Sequence, residues 1–221
     1  MDTRTIGAFF DFDKTLIDVD SPSLGIRYLW EHRLISFAYI LKVMAFNFFY
    51  QRHLVSDDFM ARVLISFYRD KPFAQFESGS QEYYEEVIRP HLAPNIVSRA
   101  MEHKDKGHIL VLISAGLRYL LKPVVKDLRF DHLICTDLEM RPDGTLTGRT
   151  VGPICTDRHK RKLAVKLADE LGIDLSESYA YGNHQADIPL LELVGHAFAV
   201  EPTKLLRKAA SDRSWPILTF R

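Results

Sequence analysis

Apolar runs of strand length recur along this 221-residue chain at positions 6–10, 108–113, 178–181, 197–200 and 215–218. From the second run onward they alternate with stretches of helical character at 117–127, 160–171 and 203–210. Strands buried on both faces read as continuous apolar runs, and their alternation with helices predicts a parallel, doubly wound α/β sheet. The long interval between the first two runs lacks strand alternation and carries helix starts instead. Ser21-Pro22 suits a cap followed by proline in the first turn, and Ser56-Asp57-Asp58 opens a further amphipathic run. The expected organisation is a sheet-forming core from residues 1–17 and 92–221, with a helical insertion over 18–91 above the mouth of the sheet. Residues 137–148 read as a short β-hairpin turning at Pro142-Asp143-Gly144, structural in role.

Within the insertion, residues 34–50 read LISFAYILKVMAFNFFY. Lys42 and Asn47 interrupt this stretch, which falls short of the uninterrupted span of about 20 residues that a bilayer requires. A helix buried within its own subdomain is favoured over a membrane-facing or lipid-binding surface. Arg27, Arg33, Lys42 and Arg52, spread among the aromatics, keep the second reading open.

Lys plus Arg equals Asp plus Glu, 29 of each, so no overall field draws the chain to nucleic acid or to an acidic membrane, and a small partner is expected. The charge balance leaves the oligomeric state open. Cys135 and Cys155 are too few for a disulfide framework. The opening Met1-Asp2-Thr3-Arg4-Thr5 leads straight into the first strand without a signal-peptide core, so a reducing cytoplasm is the expected location.

The candidate chemistry starts at Phe9-Phe10-Asp11-Phe12-Asp13-Lys14-Thr15-Leu16. A sharp exit from a buried strand projects Asp11 and Asp13 into the crevice at the carboxyl ends of the strands, where open α/β sheets bind ligands. Two close carboxylates beside a dication favour one ionised nucleophile and one group able to exchange a proton. Ser114, ending the run Ile109-Leu110-Val111-Leu112-Ile113 with Ala115-Gly116 opening a helix, offers a hydroxyl and backbone N–H groups to an anion. Cys155 reads as a packing residue, because no His/Asn constellation supports it as a nucleophile.

Four ordered segments, Asp11-Phe12-Asp13-Lys14-Thr15-Leu16, the run ending in Ser114-Ala115-Gly116, Cys155-Thr156-Asp157-Arg158-His159-Lys160, and Tyr181-Gly182-Asn183-His184-Gln185-Ala186-Asp187, make the chain resemble the haloacid dehalogenase superfamily of phosphohydrolases along nearly its whole length. The carboxyl-terminal part is most similar to the phosphoserine phosphatase-like subgroup with helical caps. The resemblance implies a Rossmann-like core with 18–91 as the cap. It also implies a magnesium-dependent phosphatase that hydrolyses a phosphate monoester of a small molecule through an aspartyl-phosphate. Asp11 would be the nucleophile and Asp13 the acid and base. Ser114, Ala115, Gly116 and Lys160 would hold the phosphate, with Lys160 also in the catalytic set. Mg2+ would lie on Asp11, the backbone carbonyl of Asp13, Asn183 and Asp187.

Members of the family carry aspartate where this chain has Asn183, so the metal site has one negative charge fewer. The missing charge motivates one alternative, a non-catalytic module that keeps the fold to bind a phosphate ligand or a partner; the apolar segment 34–50 motivates another, a phosphatase acting on lipid phosphates. The phosphoserine enzyme carries a cap glutamate soon after its first motif, whereas Asp18-Val19-Asp20-Ser21-Pro22 offers acids in a different pattern. Phosphoserine is therefore one candidate substrate among other small phosphorylated metabolites and lipid headgroups.

Overall fold

A computed structural model describes residues 5–52 and 54–221. The start read above as leading into the first strand, Met1 to Arg4, lies outside the described residues. The strands are β1 (Gly7–Phe10), β2 (Ile109–Leu117), β3 (His132–Thr136), β4 (Leu138–Met140), β5 (Leu146–Thr150), β6 (Tyr179–Gly182), β7 (His196–Val200) and β8 (Ile217–Leu218). Six of them form a sheet in the order β3-β2-β1-β6-β7-β8, every neighbouring pair parallel. The chain leaves β1 toward β2 on one side and returns to β6 on the other. β1 therefore flanks the switch point at which such sheets open a crevice beyond their carboxyl ends.

The helices of the insertion are α1 (Ser21–Glu31), α2 (Phe37–Gln51), α3 (Asp57–Ile65), α4 (Ala74–Ser78) and α5 (Ser80–Tyr83). Those of the core are α6 (Pro94–Asp105), α7 (Arg118–Asp127), α8 (Asp157–Leu171), α9 (Ile188–Leu191) and α10 (Lys204–Arg213). Side chains alternate along β1, and each face meets its own helical layer. Ala8 and Phe10 pack with Ile96 and Ala100 of α6 and Val124 of α7. Phe9 packs with Ala164 and Ala168 of α8 and Leu206 of α10. Full cover on both faces explains why β1 reads as an unbroken apolar run.

Several sequence-based expectations are revised. β3 is an additional strand; its apolar segment, Leu133-Ile134-Cys135, is short and only partly buried at a sheet edge. β2 continues through Ala115 and Gly116 to Leu117, with irregular pairing to β3 after Ile113, so the helix opens only at Arg118. Asp20, not Ser21, is the N-cap of α1. Ser56 does cap α3, accepting from the Phe59 N–H at 3.2 Å.

The largest correction concerns α2, since only Val43 among its residues is buried. A helix apolar around its whole circumference needs partners on every side, and α2 has α3 and the cleft on one side only. No described helix is long and apolar enough to cross a membrane.

The hairpin of β4 and β5 turns where expected, with Gly144 at φ 83° and the Thr145 N–H donating to Asp143 Oδ1 at 2.9 Å. It also grips the insertion. Asp70 N–H donates to Leu146 O, Leu146 N–H to Lys71 O, and Phe73 N–H to Gly144 O, at 2.8, 2.9 and 3.0 Å.

Candidate active site

The Asp11 N–H donates to Tyr181 O at 3.0 Å, which extends the β1–β6 pairing by one residue. The backbone then turns sharply. Asp13 has ψ 128° and Lys14 the left-handed φ of 50°, a sparsely populated state for a residue with a side chain. Bonds from Lys14 N–H to Val19 O (3.0 Å) and from Ile17 N–H to Phe12 O (3.1 Å) close the turn.

Asp11 is buried, and Lys160 Nζ donates to its Oδ1 at 2.5 Å while Thr15 Oγ1 donates to Oδ2 at 3.1 Å. The same ammonium donates to Asp187 Oδ1 at 2.7 Å. Lys160 stands at the first turn of α8 and is buried between two carboxylates that lie far from it in sequence. Burial alone would lower the pKa of the ammonium, but Asp11 and then Asp187 outweigh it, so the group is held firmly charged. Burial, then the charge of Asp187, pushes the Asp11 carboxyl above its ordinary value, with Lys160 countering both.

Asp13 Oδ1 accepts the backbone N–H of Ser21 at 2.5 Å. Ser21 opens α1, so this donor is one of the amides that a helix start leaves without an internal partner. Burial pushes the Asp13 carboxyl up to about 6, the bonds from Ser21 work against the rise, and Asp20 adds to it. Such a group exchanges protons near neutral pH.

Ser114 is buried, and its Oγ accepts the Gly116 N–H at 2.9 Å, which leaves the hydroxyl proton available for an acceptor. Ala115 lines the same cleft as Asp11, Asp13 and Lys160. Gly116 has little room for a side chain, since a Cβ there would lie 3.1 Å from Leu121 Cδ1 and 3.2 Å from Ser114 Oγ.

Asp187 and Asn183 meet as the four-residue spacing suggests, but through the backbone. Asp187 Oδ2 accepts the N–H groups of Asn183 (3.1 Å) and His184 (3.0 Å), so both of its oxygens are engaged by protein donors. His184 takes part in a reciprocal cap at this turn. The Asn183 amide donates from Nδ2 to Val200 O (3.2 Å) and Glu201 O (2.6 Å). Two carbonyl acceptors fix the amide orientation and leave Oδ1 as its free acceptor.

The donor chemistry fits a magnesium ion. Asp11, Asp13 and Asn183 line one cleft and offer oxygens, the ligand type a hard cation prefers, and such ions retain waters beside few protein ligands. Among the described residues no three His, Cys, Asp or Glu side chains are grouped to hold a metal by themselves, so the Asn183 amide oxygen, the Asp13 carbonyl and water would complete the set. Cys155 is buried and free, and burial pushes its thiol up to about 11, as expected of a packing residue.

The sequence left three contributors unread. Thr15 hydrogen-bonds Asp11, Ser21 bonds Asp13 through its backbone, and the backbone of Glu201 anchors Asn183. Only Thr15 carried a signal, as a hydroxyl four residues beyond the first aspartate.

Asp11, Asp13, Lys160, Asn183 and Asp187 form the floor of a cleft of about 660 Å³. Its opposite wall comes from the insertion and is largely apolar, with Ile26, Ile40, Val43, Met60 and Leu64, relieved by Asn47 and Tyr50.

Over residues 8–192 the chain matches the haloacid dehalogenase-like hydrolase family. It is 30% identical over 224 residues to a histidinol-phosphatase of Neisseria meningitidis, covering 97% of this chain and 98% of that protein. A Bordetella pertussis protein of unknown function has a solved structure that superposes with a TM-score of 0.88 at 26% identity, over 99% of this chain and all of the other. A phosphoserine phosphatase solved as a phospho-aspartyl intermediate analogue shares the fold, with a TM-score of 0.71 at 20% identity over 99% of this chain and 95% of its own. The chain belongs to the haloacid dehalogenase-like hydrolase family, and it is an enzyme of the phosphatase type.

Proposed function

We propose that this chain hydrolyses a small phosphate monoester in two steps, carrying the phosphoryl group on Asp11 in between, with magnesium as its cofactor. The observation that carries the reading is the pair of bonds from Lys160 to Asp11 and Asp187, with Asp13 two residues further along the same turn. This is the arrangement expected of a nucleophile held ready beside an acid of raised pKa.

In the first step an Asp11 carboxylate oxygen attacks phosphorus, the bond to the leaving oxygen breaks, and Asp13 delivers its proton to that oxygen. In the second, Asp13 takes a proton from water as the water oxygen attacks phosphorus. The bond to Asp11 breaks, and inorganic phosphate leaves. Lys160 keeps Asp11 in place and adds positive charge against the phosphoryl oxygens. Ser114 gives its hydroxyl proton to one of these oxygens and the Ala115 amide adds a donor beside it, while the Gly116 amide holds Ser114 Oγ in place. When bound, magnesium neutralises phosphoryl charge. Asp11, the backbone carbonyl of Asp13 and Asn183 would hold it. Asp187, whose oxygens already serve Lys160 and two amides, would contribute chiefly by holding that set together.

Residues 18–91 are assigned as the cap, with the apolar wall facing the leaving group. The two buried free thiols suit a reducing cytoplasm.

Hydrolysis of p-nitrophenyl phosphate tests the reading. Turnover should require magnesium, stop with EDTA and be absent in Asp11→Asn. Equal turnover in EDTA, or in the variant, contradicts it.

A further inference from the structure

The apolar character of α2 is spent on two different faces. Val43, Asn47 and Tyr50, at helical spacing, line the cleft above Asp11. Phe37, Leu41, Met44 and Phe48 repeat at the same spacing on the other side, and they are 64%, 50%, 63% and 51% exposed. Met44 belongs to both sets, so the outer stripe runs without a break into the mouth of the cleft. Leu34 and Leu54 extend it at either end, both exposed. A continuous apolar stripe of this size on one helix marks an interaction surface rather than scattered exposure.

Charge identifies the occupant. From residue 32 to residue 56 the chain contains no Asp or Glu, while Arg33, Lys42 and Arg52 are all exposed. The Arg52 guanidinium lies 3.5 Å above the Phe48 ring, so a cation borders the stripe directly. A second copy of the chain pairing about a twofold axis would bring these cations together with no acid between residues 32 and 56 to answer them. An anionic lipid surface answers both the apolar stripe and its basic border. At about 1.5 Å per residue the 15 residues of α2 span about 22 Å, too short to cross a bilayer of about 30 Å but suited to lying in its interface.

We propose that the outer face of α2 docks on an anionic lipid bilayer and brings the cleft to the membrane surface, so that the phosphomonoester headgroup of a lipid reaches Asp11 while its chains stay with the bilayer. The lipid-substrate half rests on the phosphatase reading given above; the docking half does not.

The test is flotation of the purified full chain with vesicles of phosphatidylcholine alone or with about 30 mol % phosphatidylglycerol. A paired assay measures phosphate release from phosphatidic acid in those vesicles and from soluble glycerol phosphate. Binding should be selective for the anionic vesicles. It should fall at least tenfold, roughly, in Leu41→Ser/Phe48→Ser and about fivefold for each charge removed in Arg33→Gln and Arg52→Gln. These residues lie outside the catalytic machinery, so all variants should hydrolyse p-nitrophenyl phosphate as the parent does, which also shows that they fold.

Failure of the parent to float, or flotation unchanged by the substitutions, overturns the docking surface. A dimer that the double substitution converts to monomer, without any vesicle binding, overturns it as well. Vesicle binding with release from glycerol phosphate but none from phosphatidic acid overturns the substrate half. Absence of turnover on every phosphate ester, with flotation intact, counts against the phosphatase reading and its lipid substrate and leaves the docking surface standing.

Discussion

The side-chain amide of Asn183 donates to the backbone carbonyl of Glu201 at 2.6 Å, tying the loop after β6 to the end of β7. An aspartate here would set a carboxylate oxygen against that carbonyl and against Val200 O, which the same nitrogen also reaches. Asn183→Asp should therefore lower the stability of the metal-free protein by about 1–3 kcal/mol. The added charge should also tighten magnesium binding, so magnesium should raise the melting temperature of the variant more than that of the parent. Equal melting temperatures without metal would contradict the hydrogen-bonded anchor. Equal magnesium shifts would remove residue 183 from the metal site.

Replacing Lys160 by methionine leaves Asp11 and Asp187 buried without their shared cation. Breaking a buried ion pair from one side costs about 3–5 kcal/mol, and activity should be lost with it. The deficit should depend on pH. The Asp11 carboxyl, raised by burial and by the charge of Asp187, loses the cation that counters the rise, so the variant is most stable at acid pH and loses stability as pH rises through the raised Asp11 value. Melting curves of both proteins in EDTA from acid to neutral pH test this. A deficit that shrinks as pH rises contradicts the triad.

His103 supplies a second pH dependence. Its Nε2 lies 2.8 Å from Tyr181 Oη and its Nδ1 2.8 Å from His108 Nδ1, and burial, then His108, lowers its pKa to about 4. The unfolded chain binds this proton at about 6.5, so stability falls as pH drops from about 6.5 toward 4. In His103→Gln that part of the acid loss should be missing, read as a flatter dependence of melting temperature on pH. Parallel curves would show that His103 is not held neutral.

The grip of the β4–β5 hairpin on residues 69–73 can be separated from simple backbone strain. Gly144 and Gly148 both have positive φ, 83° and 74°. A Cβ on Gly144 meets nothing within 4 Å, whereas one on Gly148 would lie 2.7 Å from Arg69 Cβ and 3.2 Å from its Cα. Gly144→Ala should cost about 1–2 kcal/mol from conformation alone. Gly148→Ala should cost more, because the hairpin must also separate from Arg69. Equal losses in chemical denaturation would mean that this contact contributes nothing.

The parts of this molecule that the sequence discloses are those whose signal is local. β1, β6 and β7 are continuous apolar runs because both faces of the sheet are covered, and Asp11 and Asp13 follow directly from where β1 ends. β3 escapes such a reading because three apolar residues at a sheet edge do not stand out from a loop. The same limit applies to the partners of Lys160. Its spacing on α8 marks it as a candidate, but only the fold brings Asp11 and Asp187, 149 and 27 residues away, to one ammonium. For α2, composition gives an apolar helix without saying which faces find protein. Burial is the natural expectation, and the structure leaves one face bare. The amide of Asn183 reads from sequence as a weakened metal ligand, and only the fold supplies Val200 and Glu201 as acceptors for its nitrogen.

The central claim is that Asp11 carries the phosphoryl group. The most direct measurement is mass spectrometry of protein quenched in acid during turnover of p-nitrophenyl phosphate with magnesium, using Asp13→Asn to slow the second step. One added phosphoryl group should appear on the peptide containing Asp11 and be absent in Asp11→Asn. Phosphorylation of another residue, or steady turnover by Asp11→Asn with no phosphorylated protein, would contradict the account.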